Sequence, residues 1–524
     1  MRRVLCKILK WGLISLVTLA ILLVLLILEE NWRGKRAWEQ CKRDLEAKGE
    51  HLDIAELAPP PIPDDQNFVM IPLLKPLLDF TYDPKAGEFI YKYPHAPVKK
   101  ITVYFVDPES EDDNAKARKL GIQKFLEESL KKKPSAIEGA RPRQKENWQT
   151  GVFRNLQEWQ TYYKLGFPDI NHPEDPAEDI LATFARFDTV YMELRESAKT
   201  RSMSRLPQPY SAGPESTGSS AFYSVIQDVE RVVAFRAVAE LRLNHADQAL
   251  EDLQFGFRLI ETARSRPFLI ENLLSDSLVA MLMQPIWEGI AAHKWTDAQL
   301  DTLQKMLVES DSMSGFVRSM HGEIAWAAAR SNYIVSQHDS IPDTADAWVR
   351  PWLLLARAYS GFFYQNQISI YRTVEDRILP LVDLKNQRID AARLALEKKD
   401  VKEDHRFSPY TVFARMALPV YFSVLEKNAQ VQTWLDQAVI ACSIERYRIA
   451  HNSLPTTLDD LHAADLPHDI ITGHSMHYRV LAPDNYILYS TGWNETDDGG
   501  KITKDGLGRV DRDKSDWVWS LKPL

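Results

Sequence analysis

Cysteine is almost absent from this 524-residue chain, and the three that occur, Cys6, Cys41 and Cys442, make no disulfide framework. Cys6 precedes a long apolar run and would lie across a membrane from the others. Only Cys41 and Cys442 stand where they can pair, and two reduced structural thiols are the plainer reading. A charge of one sign is also lacking. The net charge of −9 is mild for this length and argues against nucleic acid as the main partner. No Gly-x-Ser-x-Gly elbow, Walker A loop, dinucleotide fingerprint or His-Glu-x-x-His pair occurs. Gly500-Lys501 lacks both the upstream Gly and the following Ser or Thr of a phosphate loop. Each absence removes a recognisable enzyme class.

What is present is one uncharged stretch, Trp11 to Leu28, WGLISLVTLAILLVLLIL. As a helix it spans roughly 27 Å, the thickness of a bilayer's hydrocarbon core. It is longer than the apolar stretch of a secretory signal and no Ala-x-Ala-like site follows it, so an uncleaved anchor is expected. Arg2, Arg3, Lys7 and Lys10 precede it with no acid among them, whereas acids and bases balance over 29–50. Positive charge resists translocation, so the N-terminus should stay cytoplasmic and the body lie outside. No second apolar run of comparable length appears. A single-pass protein is expected.

The body is 45% apolar and 26% charged, which is ordinary globular composition, and it is too long for one core. Residues 1–28 are read as tail and anchor, and 29–65 as a juxtamembrane helix and Pro-rich spacer. A mixed α/β segment at 66–147, a helical body at 148–427 and an α+β domain at 428–524 follow. The juxtamembrane helix should end near Lys48-Gly49, with Trp32, Arg36 and Trp38 at the interface. The stretch Pro59-Pro60-Pro61-Ile62-Pro63 is a stiff spacer holding the body off the bilayer. In the mixed segment, Glu88–Tyr93 and Ile101–Val106 have strand composition. The charged stretch 107–145 is a solvated face or, less simply, a contact for anionic lipid.

In the body, Ile226, Val229, Val233, Ala237 and Leu241 share one helical face, and Ala249, Leu253, Phe257 and Ile260 share another. The pair is of helical-hairpin, tetratricopeptide-like type, without a second copy at a 34-residue period. Helices are expected at 267–292, 297–310, 313–338, 345–373, 386–399 and 409–427, with a new one from 428. Beyond it, Thr457–Leu461 is a capped turn, 477–481 and 486–490 form a β-hairpin, and 516–519 add a short strand. The fold class is therefore mainly α: an anchor helix, a large multi-helix body and a small α+β C-terminal domain.

The order Ile444-Glu445-Arg446-Tyr447-Arg448, His451, Leu454-Pro455-Thr456-Thr457-Leu458-Asp459-Asp460-Leu461, Tyr489-Ser490-x-Gly492-x-Asn494 and Asp497-Asp498-Gly499-Gly500 resembles the globular domain of type II secretion major pseudopilins. Pseudopilins carry their membrane helix directly ahead of this domain and bear a prepilin cleavage motif. Here a long body intervenes and Arg2–Trp11 has no such motif, so the resemblance implies a shared module and not assembly into a pilus. The whole chain also resembles uncharacterised single-pass envelope proteins of planctomycete and verrucomicrobial type. The resemblances imply the bacterial inner (cytoplasmic) membrane and a secretion-related setting.

In pseudopilins the loop after the last hairpin strand binds calcium, which carries over here to Asp497, Asp498, Asp511 and Asp513. A Gly-flexed acidic loop can gather the six to eight oxygens that Ca²⁺ takes, although the twelfth position from Asp511 is Lys522 and not the Glu of an EF-hand. His468, His474 and His477 raise zinc, but sit in predicted loop and strand and read by default as surface histidines. His321-Gly322-Glu323 on a helix is a weaker grouping still. Trp159, Tyr162, Tyr163, Phe362 and Phe363 fall within predicted helices and read as core. The leading expectation is a membrane-anchored scaffold or protein-interaction component with a protein partner. The alternative is an envelope hydrolase whose site is assembled from scattered residues.

Overall fold

A computed structural model describes residues 2–50, 54–57, 60, 62–83, 88–92, 97–103, 141–142, 148–206, 220–336, 358–403, 408–462, 466–506 and 510–523. The chain is mainly helical, with a small antiparallel sheet near its C-terminus. Helix α1 (Arg2–Ala47) runs without a break through the apolar stretch and 19 residues past Leu28. It is long and apolar enough to cross a membrane, and no residue of its most apolar window is buried. Burial begins abruptly at Glu30, and Trp38 and Leu45 are fully packed.

The body is built from α2 (Leu156–Gly166), α3 (Pro176–Phe184), α4 (Asp188–Thr200), α5 (Ser220–Arg242), α6 (Ala246–Ala263), α7 (Leu269–Ala291), α8 (Asp297–Glu309), α9 (Ser312–Ser336), α10 (Ser360–Thr373), α11 (Ala391–Glu403) and α12 (Val412–His451). Local chemistry sets the starts and stops. Asn155 and Asp175 cap α2 and α3 through their side chains, and Thr296 with Gln299 forms a reciprocal capping box on α8. Asn452 ends α12 in the left-handed region at φ 53°. The expected faces of α5 and α6 are buried at Ile226, Val229, Val233, Ala237, Leu241, Ala249, Leu253 and Ile260, each at most 3% exposed, whereas Phe257 of the expected α6 face is only half-buried and lines a surface cleft. Each large apolar side chain so buried stabilises by roughly 1.5–3 kcal/mol. Helix α5 packs on α6 and α7, and α8 on α12.

Four expectations change. First, α12 is one helix through 427/428, where two were expected; the polar Asn428, where the second was to begin, is buried, donating to Val424 O at 2.9 Å and accepting from Asn272 at 2.7 Å. Second, the predicted helix 386–399 is turn and strand up to Asp390: β3 (Val382–Asp383) pairs with β4 (Arg388–Ile389), and α11 starts only after Asp390, whose carboxylate accepts from Arg393 N at 2.8 Å. Third, Trp38 is not interfacial; it is buried with Ala328 and Ile368. Fourth, the body is reached before the Pro-rich stretch, because α1 lies directly on α10, and the chain after that stretch re-enters the core through Phe68, Val69, Ile71 and Leu74.

The strand predicted at 88–93 pairs with its neighbour, β1 (Phe80–Asp83) against β2 (Glu88–Tyr91). Residues 101–103 are not strand, although Ile101 and Val103 are buried; 104–106, and nearly all of 107–145, 206–220 and 345–357, lie outside the described residues. The C-terminal sheet has order β5 (His477–Ala482), β6 (Asn485–Ser490), β7 (Trp517–Ser520), with a bulge between Val480 and Ala482. It is fastened to the helices: Trp287 Nε1 of α7 donates to Ser520 O at 2.8 Å, and Gln437 Nε2 of α12 donates to Trp517 O at 2.6 Å. Trp519 packs within 5.2 Å of Trp148, in the core cluster that also holds α5, α6 and α7.

Candidate functional site

A half-open cleft of about 520 Å³ lies between α4, α6 and α8. Its floor is apolar, with Phe255 and Ile260 buried, and its walls are charged. The amphipathic period of α6 produces this division: Ala249 and Leu253 face the core while Glu251, Arg258 and Glu261 face the cleft. Behind the wall sits Asp252, wholly buried, accepting from Tyr191 Oη at 2.9 Å and Arg195 Nη1 at 3.0 Å, with Arg236 Nε at 3.4 Å. A buried carboxylate survives only with such partners. Arg195 also reaches Glu251 at 3.3 Å, Lys199 bridges Glu251 and Glu196 at 3.2 Å, and Arg258 holds Glu261. Arg264 donates to Ser275 Oγ at 2.7 Å and Ser310 O at 3.0 Å, and burial lowers its pKa. The cleft thus presents ion-paired charges of both signs on an apolar floor.

The four predicted calcium ligands fall in the loop beside the C-terminal sheet. Asp497 accepts from Tyr489 Oη and Gly499 N, both at 2.9 Å, and those bonds hold its carboxyl below the usual range. Asp511 accepts from Asp513 N at 3.1 Å and lies 3.5 Å from Lys514, while Asp513 lies 3.7 Å from Arg512. Asp516 is wholly buried, with one oxygen accepting from Gly500 N at 2.7 Å and the other without a partner. Burial, with Asp498 and Asp497 nearby, pushes its pKa up. Of the histidines, His477 stacks on Tyr489 at 4.9 Å between ring centres, and His474 is at an exposed turn.

Among the described residues one group of three His, Cys, Asp or Glu side chains has its ligand atoms all within 4.8 Å of one another: Glu50, His321 and Glu375. They come from three separate parts of the chain. Glu50 follows the end of α1 and is tied back by its N–H to Leu45 O at 3.1 Å. His321 is on α9, and its Nδ1 lies 2.8 Å from Glu50 Oε2. Glu375 lies in a π-helical turn, Val374–Ile378, that continues α10. Its Oε1 is buried without a hydrogen-bond partner. Burial and the neighbouring Glu50 raise the Glu375 pKa, against the lowering fields of His321 and Lys48. The sequence drew attention to His321 but not to its partners, because 271 and 54 residues separate it from them and no local spacing signals the convergence.

The joint between α1 and the body is equally specific. Gly34 and Gly361 meet backbone to backbone: a Cβ at Gly34 would lie 2.8 Å from Gly361 Cα, and one at Gly361 would lie 2.4 Å from Glu30 O. Beside them Asn31 donates from Nδ2 to Ala358 O and accepts from Gly361 N, both at 2.8 Å. No protein-family model, curated protein or solved structure matches the chain.

Proposed function

We propose that this protein is a single-pass, membrane-anchored scaffold of the bacterial inner membrane that holds a polypeptide partner in the α4–α6–α8 cleft. Its N-terminus stays in the cytoplasm and its body lies outside, as the four cations ahead of the span favour. The observation that carries the reading is the glycine-to-glycine joint with its paired Asn31 hydrogen bonds. That joint makes the apolar helix and the body one piece, so the cleft keeps a fixed height and heading above the bilayer. Paired charges of both signs over an apolar floor suit a polar, amphipathic segment of another protein, since both partners' charges can be re-satisfied across the contact. The pseudopilin-like order of the C-terminal elements favours a secretion-related setting for that partner.

Photo-crosslinking in intact membranes tests the reading. With p-benzoylphenylalanine in place of Lys199 or Glu309, both lining the cleft, one discrete adduct is expected. The same probe in place of the exposed Leu481 of β5 should give none. Equal, diffuse labelling at all three positions would contradict a cleft-bound partner.

A further inference from the structure

We infer that Glu50, His321 and Glu375 bind one divalent first-row metal ion of the zinc or manganese type, which clamps the end of the anchor helix to the body. The donor set is one imidazole nitrogen and two carboxylate oxygens, which suits such ions and gives no preference to the large all-oxygen shell of calcium. Donor atoms around a tetrahedral ion with bonds of about 2.0–2.1 Å stand about 3.3 Å apart. The three side chains already offer atoms within 4.8 Å of one another, so closing on an ion needs only side-chain adjustment. His321 and Glu50 are about one-quarter exposed, which leaves a path for entry.

Three further observations point the same way. The Glu375 oxygen that is buried without a partner is an acceptor the protein leaves unsatisfied, which costs stability unless something fills it. The π-helical turn that presents Glu375 is a rare conformation that recurs at functional sites. The depth of His321 is set by its neighbour Gly322, where a Cβ would lie 1.5 Å from Pro267 O, so α9 is seated too closely for another residue there. Lys48 contributes its field to Glu375 without bonding the unpartnered oxygen. The three residues come from separate parts of the chain, so the ion's role is to clamp. It joins the segment after α1, α9 and the turn after α10 at one point.

The test uses the full chain in detergent micelles, stripped with EDTA and then dialysed against Zn²⁺ or Mn²⁺ separately. One equivalent of metal per chain is expected by elemental analysis, with a rise in melting temperature. His321→Ala and Glu375→Gln should each reduce the retained metal at least tenfold, whereas the pair Asp497→Asn and Asp498→Asn should keep it. X-ray absorption of the zinc-loaded parent chain supplies a readout that needs no variant: an oxygen-rich shell with a single imidazole is expected. No retained ion, metal undiminished in both variants, or a shell containing sulfur or several imidazoles would each overturn the assignment. The measurement does not depend on the polypeptide-binding reading and can fail without it.

Discussion

Asp436 and Asp276 are acids placed where a carboxylate is least comfortable. Both are buried in the helical core, Asp436 accepting from Gln432 at 2.9 Å and Asp276 from Ser312 at 2.7 Å. Desolvation pushes Asp276 up to about 7 and Asp436 up to about 8. A folded-state pKa above the unfolded one means the folded chain keeps a proton that the unfolded chain gives up once pH passes about 4. This stability is full below that pH and is lost as pH rises toward 7 for Asp276 and toward 8 for Asp436, at about 1.4 kcal/mol per pH unit for each group. Asp436→Asn, which keeps an acceptor for Gln432, should therefore melt higher than the parent at pH 8 and match it near pH 4. Parallel melting curves across that range would refute the argument. The sequence shows that these aspartates sit among apolar residues; it does not show which neighbours satisfy them.

At the scale of elements, the tightest constraint is the α1–α10 joint. Gly361→Ala would drive a methyl to 2.4 Å from Glu30 O, and Gly34→Ala to 2.8 Å from Gly361 Cα, in both cases against backbone that cannot swing aside. Each should destabilise by about 1–3 kcal/mol and speed tryptic cleavage at Arg43 and Lys48. Gly12→Ala, with nothing within 4 Å, should change neither the melting temperature nor the cleavage rate. Helix periods were legible here because apolar spacing alone sets α5 and α6. The breaks were less so. Buried polar pairing carries α12 straight through Asn428, and the short β3–β4 ladder claims residues whose composition favours helix.

At the scale of the whole molecule, the joint fixes which face of the body lies beside the exposed apolar end of α1, and so which face would meet the bilayer under the proposed anchoring. Beside Asn31, Tyr359 and Phe362 gather with Phe413 at the start of α12, and Phe413, Met416 and Val420 share one exposed helical face. Asn31 is three residues beyond Leu28, or about 4.5 Å along the helix, so with the helix anchored as proposed this apolar face would continue its membrane contact. A nitroxide at Met416→Cys in the full chain, reconstituted in phosphatidylcholine vesicles, should collide preferentially with lipid-soluble oxygen. One at the exposed Val308→Cys on α8 should favour an aqueous relaxation agent. Equal behaviour at the two positions would remove the face from the bilayer. The described C-terminal strands share a core cluster with the helices, so the division at 428 marks a change of texture in the sequence rather than a gap in packing.

The sequence by itself determined the apolar span, the mainly helical class, the faces of α5 and α6 and the C-terminal hairpin, because each depends on residues within a few turns of one another. Tertiary structure alone decided that α1 is bolted to α10, that Trp38 is core, that Asp252 is held between two arginines, and that Glu50, His321 and Glu375 converge. Those arrangements join residues tens to hundreds of positions apart, and their energies come from close packing and desolvation, which no periodicity along the chain records.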